Sequence, residues 1–262
     1  MKKSKLFTLA ISAIMAGTLL VGCQSESSSS DKSTSDSGTK YLIATDSKYA
    51  PFSFEEDGEY KGIDVEVLEA VAKEAGFEYE LKPMDFNAII PALTSNQLDG
   101  AIAGMSITDE RKEALDFSDG YFESGLSIVV DADNTDINGV DDLNGKIVAV
   151  KKGTAGENWA LENQEKYNLE LKHFEDSPAM FLAVQGGNAD FALEDYPVIA
   201  YKIKVDSDNE LKIAGEKVTT ADYGFAVNKG QNTELLEKFQ EGLKAIKENG
   251  KYDEIISEYI EQ

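Results

Sequence analysis

The stretch AIAGMSITDER, residues 101–111, runs from small apolar residues through Gly104, Ser106 and Thr108 to Arg111. A guanidinium there can form a bidentate, charge-assisted pair with a carboxylate, each such bond contributing about 1.5 to 3 kcal/mol. Amides at a helix start beside Ser106 and Thr108 suit the same anion. The competing use of Arg111 is a surface pair with Asp109 or Asp116, and spacing alone leaves the two uses level. Asp195 follows the apolar stretch FAL and Glu194. Its carboxylate can accept from an ammonium group, joined by the carbonyls of Ala103 and Gly104, or it can cap the helix that begins YPVIAYKIK. A carboxylate site at Arg111 and an ammonium site at Asp195 together describe the two charges of an α-amino acid.

Two further pairs bear on the rest of such a molecule. Tyr49 and Phe86 fall just past the first two predicted strands, where they would either sandwich an aliphatic stem or fill the core. Asp46 accepts and Lys151 donates, matching the two ends of a carboxamide; a surface salt bridge accounts for the same residues. Catalytic chemistry has less to work with. His173, in LELKHFED, is the sole histidine and reads as a surface residue. KKGTAG lacks the Lys-Thr of a nucleotide-binding loop, and no metal-ligand spacing occurs. No catalytic residue, metal or cofactor is expected.

These residues are carried by an alternation of short apolar strands and amphipathic helices, the pattern of an α/β protein. YLIAT, residues 41–45, reads as a strand. GIDVEVLEAVAKEAG reads as a helix with Asp64 as N-cap, Val65, Leu68, Val71, Ala72 and Ala75 on one face, and Gly76 as its stop. FEYELKP is the next strand. NAIIPALTSN is a short helix with Pro91 near its first turn, and LDGAIAG a further strand. After NTDINGVDDLNG the pattern restarts with KIVAVK, residues 146–151. LIATDSKYA from Leu42 aligns with IVAVKKGTA from Ile147, setting Asp46 opposite Lys151. IIPALTSNQLDGAIAG aligns without a gap with MFLAVQGGNADFALED, matching Ala92 with Ala183, Asp99 with Asp190 and Ala101 with Ala192. Two related βαβ lobes are expected, with ligand between the carboxyl ends of their strands. The strand YGFAVNKG and the two helices after it return to the first lobe, which puts a two-strand hinge near Ser124 and Asp222.

The chain has 262 residues, 42% of them hydrophobic, enough for one large domain or two modest ones. Its formal charge of −24 argues against nucleic acid as a partner. Lys2, Lys3 and Lys5 precede LFTLAISAIMAGTLL, an apolar run of signal-peptide length. That run ends in LVGC, which looks like a bacterial lipobox whose Cys23 is lipidated. Cys23 is the only cysteine, so no disulfide forms within the chain. The Ser-rich residues 24–39 read as a flexible tether. The expected layout is a signal peptide over 1–22, lipidated Cys23 with its tether to 39, one lobe from 40–124 and 223–262, and a second from 125–222. The protein would then sit on the extracellular face of the cell membrane, held by its lipid alone.

GIDVEVLEAVAKEA resembles the signature helix of the family 3 extracellular solute-binding proteins of ABC importers, and the resemblance runs from Lys40 to the C-terminus. ELKPMDFNAIIPAL, AGMSITDERKEALDFSDGY, VAVKKGTAG and ENGKYDEI are most similar to the glutamine-binding members. The resemblance implies a two-lobed, periplasmic-binding-protein-like fold of type II, each lobe a mixed sheet flanked by helices. It further implies that Arg111 and Ser106 hold a carboxylate, with Thr154 and Ala155 also at the ligand, while Ala103, Gly104 and Asp195 hold its ammonium group. Tyr49 and Phe86 would cover its stem, and Asp46 and Lys151 would read its amide. Tyr49 stands where the glutamine binder has Phe, Ala155 where it has Gly, and Glu194 where it has His. An added carboxylate favours a cationic side chain and Lys151 opposes one. Glutamine is therefore the expected ligand, with arginine, another basic amino acid or glutamate next, for a monomer that delivers to an ABC permease. A dehydratase using Lys151 and Glu194 as base and acid, or a ligand sensor, are the rivals.

Overall fold

The computed structural model describes residues 40–208 and 210–260. The expected signal peptide, Cys23 and tether lie outside these residues. Strand β1 (Tyr41–Asp46) ends in four buried residues, and a small antiparallel ribbon follows: β2 (Lys48–Tyr49), β3 (Ser53–Glu56) and β4 (Glu59–Lys61). Helix α1 (Ile63–Ala75) starts from Gly62, not from a side-chain cap on Asp64. Gly62 has φ 120°, and a Cβ there would lie 2.4 Å from the Phe52 carbonyl oxygen, so only glycine fits the entry. Asp64 is instead buried in the first turn, aimed away from the amides a cap would serve. The buried face is Ile63, Val67, Leu68, Val71 and Ala72, whereas Val65 and Ala75 are half-exposed. Gly76 ends the helix in the left-handed region as expected.

β5 (Tyr79–Met84) lies parallel to β1, pairing Asp46 with Met84. Helix α2 (Phe86–Thr94) begins before the expected NAIIPALTSN, which puts Pro91 in its second turn and not its first. Pro91 and Asn87 are both exposed, so the Asn87 carbonyl that loses its intrahelical donor faces solvent. β6 (Gly100–Ala101) is shorter than the expected LDGAIAG, though Ile102 N–H still donates to the Ala44 carbonyl at 2.9 Å. Helix α3 (Asp109–Ala114) and β7 (Leu115–Phe117) complete this stretch.

The chain then leaves through β8 (Phe122–Ser124) into β9 (Leu126–Asp131). A second series follows: β10 (Ile147–Lys151), α4 (Ala155–Tyr167), β11 (Glu170–Phe174), α5 (Ser177–Gln185), β12 (Phe191–Asp195), α6 (Tyr196–Val205) and β13 (Leu211–Ala214). It returns through β14 (Ala221–Tyr223) into β15 (Ala226–Asn228), and ends in α7 (Thr233–Glu248) and α8 (Lys251–Tyr259). β8 and β14 pair antiparallel, Phe122 with Tyr223 and Ser124 with Ala221, which makes the two-strand hinge.

Each lobe has a five-stranded mixed sheet, in the orders β5-β1-β6-β15-β7 and β11-β10-β12-β9-β13. The fourth strand of each is antiparallel to the third and enters directly from a hinge strand. The register repeats as the alignment expects, Ile43 pairing with Gly100 as Val148 pairs with Phe191. α1 and α7 pack on one another through Val67, Leu68, Val71, Phe239, Leu243 and Ile246, each burial contributing about 1.5 to 3 kcal/mol. Their close approach relies on Gly242, where a Cβ would come within 2.7 Å of the Val71 carbonyl oxygen.

Candidate functional site

β1 and β10 hold the same place in their sheets, so their final residues, Asp46 and Lys151, stand at the same end of each lobe. Lys151 Nζ donates to Asp46 Oδ2 across the lobes, and both side chains are almost wholly buried. This is not the surface salt bridge that the sequence also allowed. Asp46 Oδ1 accepts from the Lys48 amide at 3.0 Å. Lys151 Nζ lies 4.4 Å from the centre of the Tyr49 ring and 5.5 Å from that of Phe86. Phe86 also faces Arg111, whose guanidinium carbon is 5.4 Å from its centre, so one ring lies beside two cations.

Thr108 caps α3 and accepts from the Arg111 amide at 3.2 Å. This turns the Arg111 side chain inward, where it is buried. Its Nη1 donates to the Ser106 carbonyl at 2.8 Å, and its Nη2 crosses to the Gly153 carbonyl of the other lobe at 2.9 Å. Burial lowers the pKa of the guanidinium, opposed by the charge of Asp195. Asp116 pairs with Lys229 at 2.7 Å and Asp109 with Lys112 at 3.4 Å, so neither takes Arg111. Thr154 caps α4: its hydroxyl donates to the Lys151 carbonyl at 2.7 Å and accepts from Glu157 N–H at 3.3 Å. Ala155, the first residue of that helix, shares a groove of about 360 Å³ with Ser106 and Asp195.

Asp195 occupies the cap position of α6, but its carboxylate bonds none of that helix's amides. Oδ2 accepts from the Tyr49 hydroxyl at 2.6 Å and from the Tyr223 hydroxyl at 2.5 Å. Burial raises the Asp195 carboxyl, with those two hydroxyls and the Arg111 charge opposing. Glu194 Oε1 accepts from the Asp195 amide at 2.9 Å. Burial first, and then the Asp195 charge, push the Glu194 carboxyl up to about 7, with Lys151 opposing. Gly104, at φ 55°, sits against Tyr49, and a Cβ there would be 2.5 Å from a Tyr49 ring carbon. The Gly104 N–H donates to Asp64 Oδ2 at 2.7 Å, and Tyr121 donates to Asp64 Oδ1 at 2.6 Å. Burial raises the Asp64 carboxyl to about 7, those two bonds opposing it.

Tyr223, Asp64, Tyr121 and Gly153 join this cluster without having been assigned to it from the sequence. Tyr223 lies on hinge strand β14, and no spacing marks it as a partner of Asp195. Asp64 did carry a signal, an acidic residue opening an apolar helix, but the cap is the commoner use of that pattern. His173 lies on the surface as expected, half-exposed, with Nε2 3.1 Å from Glu157 Oε1.

Residues 41–262 match the bacterial extracellular solute-binding proteins, family 3. The arginine-binding extracellular protein ArtP of Bacillus subtilis (strain 168) is 34% identical, over 86% of this chain and 88% of its own. The ABC transporter glutamine-binding protein GlnH of the same organism is 31% identical, over 98% of each chain. An ancestral arginine-binding protein bound to arginine superposes with a TM-score of 0.79 and 38% identity, covering 84% of this chain and 98% of that one. The same figures of 0.79 and 38% hold for an ancestral arginine-binding protein bound to glutamine, over 85% of this chain and 98% of that one. The fold is that of the type II periplasmic binding proteins.

Proposed function

Since this chain belongs to the bacterial extracellular solute-binding proteins of family 3, and so is an amino-acid-binding protein, we propose that it captures glutamine for an ABC importer by closing its lobes. The lobes are residues 40–124 with 223–262, and residues 125–222. The observation that carries the choice is the Asp46–Lys151 pair, one acceptor and one donor contributed by opposite lobes between Tyr49 and Phe86. A carboxamide reads both, its NH2 toward Asp46 and its carbonyl toward Lys151. Arg111 takes the ligand carboxylate with Ser106 and the amides of Thr154 and Ala155. Asp195 and the carbonyls of Ala103 and Gly104 take the ammonium group, which replaces the two tyrosine hydroxyls.

Arginine is the second reading. It is favoured by Glu194, a buried carboxylate close to the same end of the cleft, and by arginine binders among the relatives. The family is one of transport binding proteins, which favours binding over an enzymatic use of Lys151 and Glu194. The proposal is therefore a binding protein, monomeric, exported, anchored through Cys23 and docking on a permease. Enclosure between lobes is part of it: micromolar binding of a ten-atom ligand asks roughly −0.8 kcal/mol per atom, which an open surface does not supply.

A thermal-shift screen of the twenty amino acids, followed by calorimetry, tests the reading, because a ligand that binds only the folded state raises its apparent stability. Glutamine should give the largest shift, bind with one-to-one stoichiometry and be recovered unchanged. No shift with any polar amino acid, or turnover of the ligand, would overturn it.

A further inference from the structure

Glu194 is buried, and among the described residues its Oε2 has no hydrogen-bond partner. The groups around it are fixed by the strands and helices packed on β12. Asp195 adjoins it on the same strand, and Lys151 faces it from β10, already bonded to Asp46 of β1 and within the field of Asp176 at the start of α5. The Tyr49 hydroxyl approaches from β2 at 3.5 Å but donates to Asp195, as does Tyr223 from β14. Ser177 on α5 faces it outside hydrogen-bond geometry, and Ser127 is its neighbour on β9. Arg111 acts on Asp195 and is held by two carbonyls. Besides Asp64, which is bonded to the Gly104 amide and the Tyr121 hydroxyl, the cleft thus holds three buried carboxyls, Asp46, Glu194 and Asp195, against two buried cations, Arg111 and Lys151.

An amino acid brings one carboxylate for Arg111 and one ammonium for Asp195, which leaves that balance unchanged if its side chain is neutral. A buried charge without a counter-charge costs several kcal/mol, and a carboxylate relieves that cost by taking a proton. A cationic side chain relieves it by supplying the missing charge. We infer that Glu194 sets the specificity of the cleft through its own proton: it is protonated when a neutral polar amino acid is bound and ionised when a cationic one is bound. The choice between glutamine and arginine then moves toward arginine as pH rises. This rests on the glutamine and arginine readings of the site given above.

Linkage gives the size of the effect. Two complexes that differ by one bound proton change their affinity ratio tenfold per pH unit, whatever the protonation of the free protein. Calorimetry with L-glutamine and with L-arginine from pH 5.5 to 8.5, in buffers of different ionisation heat, should show the arginine-to-glutamine ratio rising about tenfold per unit. Proton release should accompany arginine below about pH 7, where free Glu194 holds its proton, and proton uptake should accompany glutamine above it. Glu194→Gln keeps the acceptor for the Asp195 amide, removes the titration, and should flatten the ratio while weakening arginine at least tenfold at pH 8.5. Asp64, which titrates in the same range, is common to both complexes and persists in that variant. A flat ratio in the wild-type protein, the same slope in Glu194→Gln, or no arginine binding even at pH 8.5 would overturn the inference alone. Failure of glutamine to bind at every pH would remove the glutamine reading, and the inference with it.

Discussion

Lys151 and Asp46 end β10 and β1, the first parallel strands of two repeated lobes, and neutralise one another between them. Losing either partner alone strands a buried charge, at a cost of about 3 to 5 kcal/mol to the closed arrangement. Lys151→Ala leaves Asp46 free for a cationic side chain, so arginine should gain at least tenfold on glutamine. Calorimetry against glutamine, arginine and glutamate reads this directly. Equal losses for all three ligands would count against assigning the pair to the side chain.

Arg111 differs because its partners in the protein are carbonyls, which leaves its formal charge uncompensated at short range. Arg111→Ala should therefore weaken every amino acid by a hundredfold or more, the loss of about two charge-assisted bonds. Arg111→Lys keeps the charge but not the planar fork, and should recover only part of that loss. Thermal unfolding without ligand separates a binding defect from a folding one.

The repeat explains why so much of this architecture is legible in the residues. Asp99 and Asp190, matched by the gapless alignment, accept from the second and first residues of β1 and β10, Leu42 N–H at 2.8 Å and Ile147 N–H at 2.6 Å. Ala92 and Ala183 likewise accept from the amides of Gln97 and Asn188. Strand ends were legible because a parallel sheet places its ligand-facing residues by order alone. The buried polar bonds were not: Asp64 with Gly104, and Tyr223 with Asp195, join residues whose meeting depends on how the lobes and hinge pack. Pro91 shows the same limit locally, since its tolerance in the second turn follows from solvent around that face of α2.

Tyr223 gives the hinge a direct bond to the site, and Tyr223→Phe tests it with little change in shape. The ring keeps its edge contact with Phe52 at 5.0 Å and its stacking on Phe122 at 6.0 Å. What is lost is the bond to a buried carboxylate, about 1.5 to 3 kcal/mol, together with the 3.1 Å hydroxyl contact with Tyr49, so the midpoint of thermal unfolding should fall by about 3 to 10 °C. Tyr49→Phe should cost a similar amount. The double variant should cost more than the sum, because either hydroxyl alone still serves Asp195.

The pH dependence of stability has a sign set by Asp64 and Glu194. Both carboxyls stand at about 7 in the folded chain, above the 3.8 and 4.5 of exposed Asp and Glu, so the folded state keeps protons that the unfolded state has released. Stability from these groups is full below those ordinary values and is lost as pH rises through about 7. Asp116, Glu175, Glu80 and Glu234 are lowered by lysine partners and act oppositely at acid pH, but they lie at or near the surface, where solvent screens the effect. Urea unfolding between pH 5 and 8 should therefore show stability falling toward pH 8. Asp64→Asn, which cannot ionise, should reduce that fall by on the order of 3 kcal/mol. A stability that rises over this range, or one that Asp64→Asn leaves unchanged, would mean the buried carboxyls give up their protons at ordinary values.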